Sequence, residues 1–304
     1  MALTVEKFDP DEHGAAVREF VMSGRATSGG FRSSPLSDED WQQLIHRADM
    51  PGFKYIALLW CPDEGIESVV VPTIRSPLFF RDNAFLHIFG RPTPQTIASV
   101  VNDLRTSQLA AFCQTLVRAD ANAAIATLVG AGGRNVEHEV FMKFDTKAPT
   151  LQALRRSEAL IRSFVSADIH QLAQLHQIGF GFDISYTAKH FDLSESDDRL
   201  LLVAELGGAI VGYCEIDASA KEWWIDGLVT SERVRRQGIA TSLMISALEK
   251  VPTNASMYLN VSSRNPAALE LYNKFGFSEF QRQSRFVFLG CEPVGVVNAE
   301  AAKP

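Results

Sequence analysis

The chain has 304 residues, 46% of them hydrophobic, and a formal net charge of −7 from 36 acidic against 29 basic side chains. This length and apolar content suffice for one large or two ordinary domains, and two domains are the better expectation. The acidic balance argues against a surface that binds nucleic-acid phosphates, because such surfaces carry a basic excess.

The four cysteines lie far apart in the sequence, at Cys61, Cys113, Cys214 and Cys291. None belongs to a C-x-x-C motif or a His-Cys cluster, so we expect neither a metal site nor a disulfide framework, and a reducing compartment fits. The first residues carry charges where a signal peptide needs an apolar core, and no apolar run reaches the length of a membrane span. We therefore expect a cytoplasmic protein that binds no membrane.

The first half of the chain, residues 1–146, predicts an α/β domain. Helices are expected at 12–22, 37–47, 94–104 and 122–129, and strands at 54–60, 67–74, 84–89, 111–117 and 136–144. Residues 23–37 form a Gly-, Ser- and Arg-rich stretch that is too long for an ordinary loop. This stretch is interpreted either as a flexible surface segment or as a lid over a pocket.

The second half, residues 159–292, follows a linker expected at 147–158. A strand at 159–165 leads into a helix at 169–180, capped by residues 166–168, and a short helix is expected within 181–191. Strands at 199–205 and 209–217 flank Gly207 and Gly208, a pair typical of hairpin turns. A strand at 222–229 and a last strand at 279–289 are also predicted, with a flexible tail at 293–304.

The chain is organised around residues 225–241, where a strand, a basic turn and a helix follow one another. The turn holds four long polar side chains, Arg233, Arg235, Arg236 and Gln237. A helix N-terminus offers unpaired N–H groups and partial positive charge, and Gly238 and Ala240 let an anion approach the backbone. The pattern indicates an anion site, although a basic turn on its own is more often a solvated surface.

A second stretch, residues 257–277, predicts a strand, a helix from Pro266 with Asn265 as its N-cap, and a helix stop at Gly276. The two stretches together read Arg235-x-x-Gly238-x-Ala240, a strand, Asn265, Ala268, Leu271-Tyr272 and Phe275-Gly276-Phe277. In this order they resemble the acyl-coenzyme A site of the GNAT acetyltransferase superfamily, and the pair is far more specific than either motif alone.

The resemblance implies a mixed, mostly antiparallel sheet flanked by helices over about 159–290, with acetyl-CoA as the cofactor. It implies that the pyrophosphate is held by backbone N–H groups of Arg236, Gln237, Gly238, Ile239, Ala240 and Thr241. Arg233 or Arg235 would reach the outer phosphate. Leu228 and Val229 would pair with the pantetheine amides, and Asn265 would help to hold strands and cofactor.

The resemblance also places Tyr272 at the thiol-facing position, as the general acid for the departing thiolate; the alternative is a core aromatic. The base that takes the acceptor's proton has three candidates, Glu222, Asp226 and Glu215, each equally explained as a structural carboxylate. The usual family glutamate falls on Trp224. Strand periodicity predicts one shared face for Glu222, Trp224, Asp226 and Leu228. Trp223 and Trp224 are either a pocket wall or buried aromatics.

The first half repeats the order of elements of the second. At an offset of 143, Asn122, Ala124, Leu128, Val129 and Gly133 match Asn265, Ala267, Leu271, Tyr272 and Gly276. Val129 then stands in place of the acid, and Pro92 and Pro94 remove N–H donors from the matching turn. The sequence predicts a degenerate GNAT-like half without a cofactor site; the alternative is an unrelated α/β domain.

The sequence as a whole predicts an acyl-CoA-dependent N-acyltransferase that moves acetyl to a primary amine, of a small molecule or a protein, by direct attack. The alternative is a regulatory protein that binds acyl-CoA without turnover. Mycothiol synthases resemble this chain in having two GNAT halves with an active C-terminal one. That likeness concerns architecture, and a fold does not set the acceptor.

Overall fold

The computed structural model describes residues 4–7, 10–48, 57–61, 65–74, 83–107, 110, 112–144, 157–180, 199–218, 222–252 and 255–288. The chain forms two compact units. Of the described residues, unit 1 comprises those up to His138 and those from Arg282 onward, and unit 2 comprises those from Glu139 to Gln281. Within the described residues, no helix is both long and apolar enough to cross a membrane.

Unit 1 is built on a mostly antiparallel sheet. Its elements are β1 (Thr4–Lys7), α1 (Pro10–Met22), α2 (Asp38–Ala48), β2 (Ala57–Cys61), β3 (Gly65–Ile74), β4 (Asn83–Gly90), α3 (Pro94–Thr106), β5 (Phe112–Arg118), α4 (Asn122–Gly130) and the start of β6 (Arg134–Phe144). The strands lie in the order β1-β2-β3-β4-β5, and only β4 and β5 among these neighbours run parallel. The sequence did not predict β1, because four residues are too few to show a period.

The two faces of this sheet are covered by different helix pairs. Ile97 of α3 and Leu128 of α4 are fully buried in one core with Leu86 of β4. Val17 of α1 and Trp41 of α2 are buried in the core on the other face. Each such side chain contributes about 1.5–3 kcal/mol by leaving water.

Unit 2 has a sheet of the same kind. Its elements are β7 (Leu160–Ser163), α5 (Ile169–Phe180), β8 (Arg199–Leu206), β9 (Ala209–Asp217), β10 (Glu222–Thr230), α6 (Ile239–Leu248), β11 (Ser256–Ser262), α7 (Pro266–Phe275) and the start of β12 (Phe277–Phe288). The strands lie in the order β6-β11-β10-β9-β8-β7, with β10 and β11 parallel and the other pairs antiparallel. The short helix predicted within 181–191 lies outside the described residues.

The helices of unit 2 also lie on both sheet faces. Apolar residues of α6 and α7, including Leu243 and Phe275, form the larger core with Cys214 and Leu259. Leu172 of α5 belongs to a smaller core on the opposite face. The prediction of two mixed, mostly antiparallel sheets flanked by helices is confirmed.

Each unit takes a strand end from the other half of the sequence. Residues 139–143 of β6 pair with β11 in unit 2, and residues 283–288 of β12 pair with β5 in unit 1. The predicted limits, 1–146 and 159–292, do not contain this exchange, because a boundary inside a strand leaves no mark on composition. As domain limits they stay a prediction. Residues 147–156 of the predicted linker and the tail at 293–304 lie outside the described residues.

Candidate cofactor and active site

The candidate site begins where β10 and β11 separate. Their parallel pairing runs from Glu222 opposite Ser256 to Ile225 opposite Leu259, and β11 continues beside β6 as far as Ser262. Within the described strands, residues 227–230 of β10 therefore pair only with β9. The second edge of this stretch is available for an added extended chain, and Leu228 and Val229 lie on it.

A β-bulge lies at the head of this open stretch. In the pairing of β10 with β9, Ile225 lies opposite Ile216, but Gly227 lies opposite Glu215. Asp226 is the extra residue, so the alternation of side chains between the two faces reverses there.

The bulge corrects the predicted strand face. Trp223 and Ile225 before the bulge and Leu228 after it all pack in the core of α6 and α7, whereas Val229 packs in the core of α5. Trp224 lies on the face opposite Leu228. The prediction of a shared face was therefore wrong for the set Glu222, Trp224, Asp226 and Leu228, because a strict two-residue period does not pass through a bulge.

The basic turn has the backbone of an anion site. Arg236 has a φ of 67° and Gly238, the N-cap of α6, a φ of 82°; Arg236 is the only non-glycine residue with positive φ in the described part of the chain. The first α-helical bond of α6 is donated by Ser242 N–H to the Gly238 carbonyl, at 2.9 Å. The N–H groups of residues 239–241 precede it and lack intrahelical acceptors. A non-glycine residue in the left-handed conformation costs about 1–3 kcal/mol of folding free energy. Such strained residues are typical of functional turns.

The arginines of the turn lie at the surface. Arg233, Arg235 and Arg236 are exposed, and Arg235 forms an ion pair with Glu232 at 3.1 Å. A hydrogen bond from Lys274 keeps the pKa of Glu270 in α7 below its usual value, and the charge of Arg236 contributes to the same shift. The arginine heads are thus solvated, so they attract an anion without being fixed in one geometry.

Helix α7 begins and ends as its sequence predicts. The side chain of Asn265 accepts a hydrogen bond from Ala268 N–H at 3.1 Å, Pro266 occupies the first turn, and Gly276 ends the helix with a φ of 89°. Tyr272 is 7% exposed in the core that also contains Cys214, and its ring meets Phe277 edge-on at 6.0 Å. Burial, with a smaller effect of Cys214, raises the pKa of Tyr272. Its phenol therefore stays protonated at neutral pH and can donate.

The three candidate bases lie in different surroundings. Glu215 on β9 is buried and forms an ion pair with Arg199 of β8. Glu222 is exposed at the start of β10, and Asp226 is exposed at the bulge. The positive charge of Arg199 thus balances the negative charge of the Glu215 carboxylate.

Aromatic side chains line the sheet face that carries Trp224. Its ring stacks on Tyr258 at 5.1 Å between centroids, Phe141 and Phe280 pack edge-on nearby, and Lys143 lies 5.3 Å from the Tyr258 ring centre. Phe280 is 51% exposed. Of the two tryptophans, only Trp224 lies on this face, because Trp223 packs in the opposite core.

Sequence reasoning missed two buried residues beside the bulge, His176 on α5 and Tyr213 on β9. The Tyr213 hydroxyl lies 2.5 Å from His176 Nδ1. A histidine on the apolar face of a helix is the one signal that points to them, and it is a weak one.

Unit 1 repeats the separated strand pair. The parallel pairing of β4 with β5 ends at Phe85 opposite Gln114, although Thr115 Oγ1 still donates to the Leu86 carbonyl at 2.8 Å. The turn after β4 differs from the basic turn, because Thr93 caps α3 with its side chain and Pro94 follows. That helix start offers one N–H donor fewer than α6 does.

The loop at 23–37 packs against this part of unit 1. A Cβ on Gly29 would overlap the Gly90 carbonyl at the end of β4, and a Cβ on Gly30 would lie 3.5 Å from the Ala121 Cβ before α4. Phe31 is buried in the core of α3 and α4. The loop is thus anchored to unit 1 at Phe31, and both its interpretation as a flexible surface segment and that as a lid stay predictions. Its residues 29–31 occupy the space between the end of β4 and the start of α4.

The structure also corrects the register of the repeat. Ala121 and Asn265 are the N-caps of α4 and α7, and Gly132 and Gly276 have φ values of 87° and 89° after those helices. These pairs differ by 144 residues, which places Leu128 opposite Tyr272. Leu128 is fully buried while Val129 is 57% exposed. Val129 was thus the wrong counterpart of Tyr272, and the residue in that position is Leu128, which has no hydroxyl group.

Fold and turn together define an α/β unit in which two splayed parallel strands adjoin a helix N-terminus. Residues 167–277 match the sequence model of the Acetyltransferase (GNAT) family. This match lies within unit 2 and agrees with the GNAT resemblance that the sequence indicates.

Two relatives are similar in sequence to part of this chain. The chain is 26% identical to an N-alpha-acetyltransferase of Sulfurisphaera tokodaii over 143 residues, 42% of this chain and 85% of that protein. It is 29% identical to N-alpha-acetyltransferase 50 of Danio rerio over 126 residues, 39% of this chain and 74% of that protein.

Two solved structures share the fold of nearly the whole chain. A GCN5-related N-acetyltransferase from Sphaerobacter thermophilus superposes with a TM-score of 0.67 at 18% identity, over 94% of this chain and 95% of that one. A tandem GNAT protein from the clavulanic acid biosynthesis pathway gives 0.67 at 12% identity, over 96% and 100%. The GNAT-like fold predicted for both halves is confirmed.

Proposed function

We propose that the chain is an acetyl-CoA-dependent N-acetyltransferase whose reaction takes place in unit 2. The observation that carries the proposal is the open edge of β10 at 227–230, which leads into the left-handed turn at Arg236 and Gly238. This arrangement fits coenzyme A, because an extended arm with amides can pair along the edge while the helix N-terminus receives the pyrophosphate.

The residues then have distinct tasks. Backbone groups of Leu228 and Val229 orient the pantetheine arm, and N–H groups of residues 236–241 bind the pyrophosphate, with Arg233 or Arg235 at the outer phosphate. Asn265 begins α7 so that Tyr272 projects into the core beside β10. Acetyl-CoA supplies the thioester that the acceptor amine attacks. Tyr272, kept protonated by burial, donates to the departing thiolate.

The acceptor is a primary amine. The curated relatives are N-alpha-acetyltransferases by name, so peptides with free N-termini belong beside small amines in any acceptor screen. A cytoplasmic location remains a prediction from the spacing of the cysteines.

The test is to incubate the protein with acetyl-CoA, a panel of amines and peptides, and a thiol reagent. An enzyme releases coenzyme A only when an amine is present, whereas a regulatory protein binds acetyl-CoA without releasing thiol. Binding in calorimetry with no amine-dependent release across the panel would favour the regulatory alternative.

A further inference from the structure

A buried phenol–imidazole pair lies next to the bulge of β10. Tyr213 is fully buried and His176 is 7% exposed; besides the 2.5 Å contact between Tyr213 Oη and His176 Nδ1, their rings stack with centroids 6.0 Å apart. A contact this short between two groups shielded from water is a strong hydrogen bond. The glycine at position 179 allows α5 to lie close to β10, since a Cβ there would come within 2.9 Å of Val229 Cγ2.

Gly227 brings the backbone of β10 close to this pair. A Cβ at Gly227 would lie 3.3 Å from Cε2 and 3.5 Å from Oη of Tyr213. If the pyrophosphate binds at the C-terminal end of β10 and the pantetheine amides pair with Leu228 and Val229, the acyl end of the cofactor would reach Gly227. The phenol of Tyr213 would then lie behind the strand position where the thioester is attacked.

We propose that Tyr213 and His176 accept the proton that the acceptor ammonium must lose. This inference rests on the proposed function and adds the base that the sequence left open. Tyr213 is the residue that contacts the amine, and His176 is the positioning residue that receives the phenol proton at Nδ1.

The protons balance in two steps. The ammonium gives one proton to Tyr213 Oη as the phenol proton moves to His176, which releases it to solvent, and the free amine attacks the thioester. As the carbon–sulfur bond breaks, Tyr272 protonates the thiolate, and the second proton lost by nitrogen restores Tyr272. Overall one proton leaves, as amine acetylation requires.

The surroundings favour the pair of Tyr213 and His176 over a carboxylate as the acceptor of the ammonium proton. Burial raises the pKa of Tyr213, with a contribution from Cys214, so the phenol gives up its proton only as it gains another. Glu215, whose Cβ lies 3.7 Å from the Gly227 Cβ position, is neutralised by Arg199. Besides Arg199, the other charged groups on the elements packed against α5 are Asp168, Glu205, Asp217, Glu222 and Asp226. Of these, Asp168 is held by Arg162.

Two substitutions test the relay in the full chain. Tyr213→Phe removes only the hydroxyl, and His176→Asn keeps an acceptor near the Nδ1 position but cannot carry a proton at neutral pH. Each should lower kcat/KM by about 100-fold or more, in the range of general base catalysis, with little further loss in the double variant. The wild-type fall in kcat/KM on the acid side, where protonated His176 can no longer receive the phenol proton, should disappear in His176→Asn.

The readouts separate the possible outcomes. Unchanged acetyl-CoA affinity in calorimetry shows that a variant is folded, and His176→Asn serves if Tyr213→Phe does not fold. Variants with wild-type kcat/KM and an unaltered pH profile would overturn the relay while leaving the acetyltransferase intact. A wild-type protein that binds acetyl-CoA but acetylates no amine overturns the proposed function, and the relay with it.

Discussion

At the scale of single residues, Tyr272 is both a core side chain and a protonated donor. Its ring packs with Phe277 and its burial raises the phenol pKa. Tyr272→Phe should lower turnover by roughly 10- to 1000-fold and leave the acetyl-CoA affinity almost unchanged, because the hydroxyl is needed only as the thiolate leaves. Steady-state kinetics with calorimetry measures both. Unaltered turnover would make Tyr272 a core aromatic only.

Gly238 allows a charge-specific test of the anion site. Gly238→Asp should weaken acetyl-CoA binding by at least about 100-fold, because a carboxylate would occupy the phosphate's place at the helix N-terminus. With a φ of 82°, any side chain here is strained, so the variant should also lose about 1 kcal/mol of stability.

Gly238→Asn is the matched control for this substitution. It has the same shape, tolerates the left-handed conformation and carries no charge. Calorimetry should find much tighter binding in the Asn variant than in the Asp variant. Equal affinities of the two variants for acetyl-CoA would show that the phosphate does not bind at this turn.

At the scale of elements, Arg162 of β7 binds Asp168, which directly precedes α5. Arg162 donates to both oxygens of Asp168, at 2.7 and 2.9 Å, and to Glu205 at 2.8 Å, while Val165 N–H donates to Asp168 at 3.0 Å. These bonds, the bond from Arg162 first, lower the pKa of Asp168. The unfolded chain therefore binds more protons at acid pH than the folded chain does.

The pH dependence of the folding stability follows from this lowering of the Asp168 pKa. The contribution of Asp168 to stability is complete above its unfolded pKa of about 3.9 and is lost as the pH falls through the lower folded value. Asp168→Asn should cost about 1.5–3 kcal/mol at pH 7, and this deficit should shrink at low pH. Urea unfolding at several pH values measures it. Asp120→Asn, which breaks an exposed ion pair with Arg118, is the control and should change little. A loss of unfolding free energy in Asp168→Asn that does not depend on pH would contradict the assignment of this effect to the ionised Asp168 carboxylate.

At the scale of the whole molecule, the two units share a fold but differ at the cofactor cleft. In unit 1 the space beyond the separated strands holds residues 29–31, and Leu128 stands in the place of Tyr272. We therefore expect one coenzyme A per chain. Calorimetry should give a stoichiometry of one for the wild type and none for Gly238→Asp. One remaining site in that variant would place coenzyme A in unit 1.

The sequence by itself predicted the order of elements, the two caps of α7 and the basic turn, because these depend on local rules. Glycine at a left-handed position, asparagine before Pro266 and apolar periodicity are readable without any distant contact. The GNAT resemblance rested on such local signals, and both the fold of the two halves and the family match over residues 167–277 agree with it.

Tertiary structure decided what depends on distant residues. The bulge at Asp226 appears only when β10 pairs with β9, and it moves Leu228 to the face opposite Trp224. The register of the repeat depended on which face of α4 is buried. The hydrogen bond between His176 and Tyr213 joins residues far apart in the chain, and no periodicity encodes it. Periodicity does not encode the exchange of strand ends between the units either. Pairing partners are determined by packing over the sheet rather than by the local sequence.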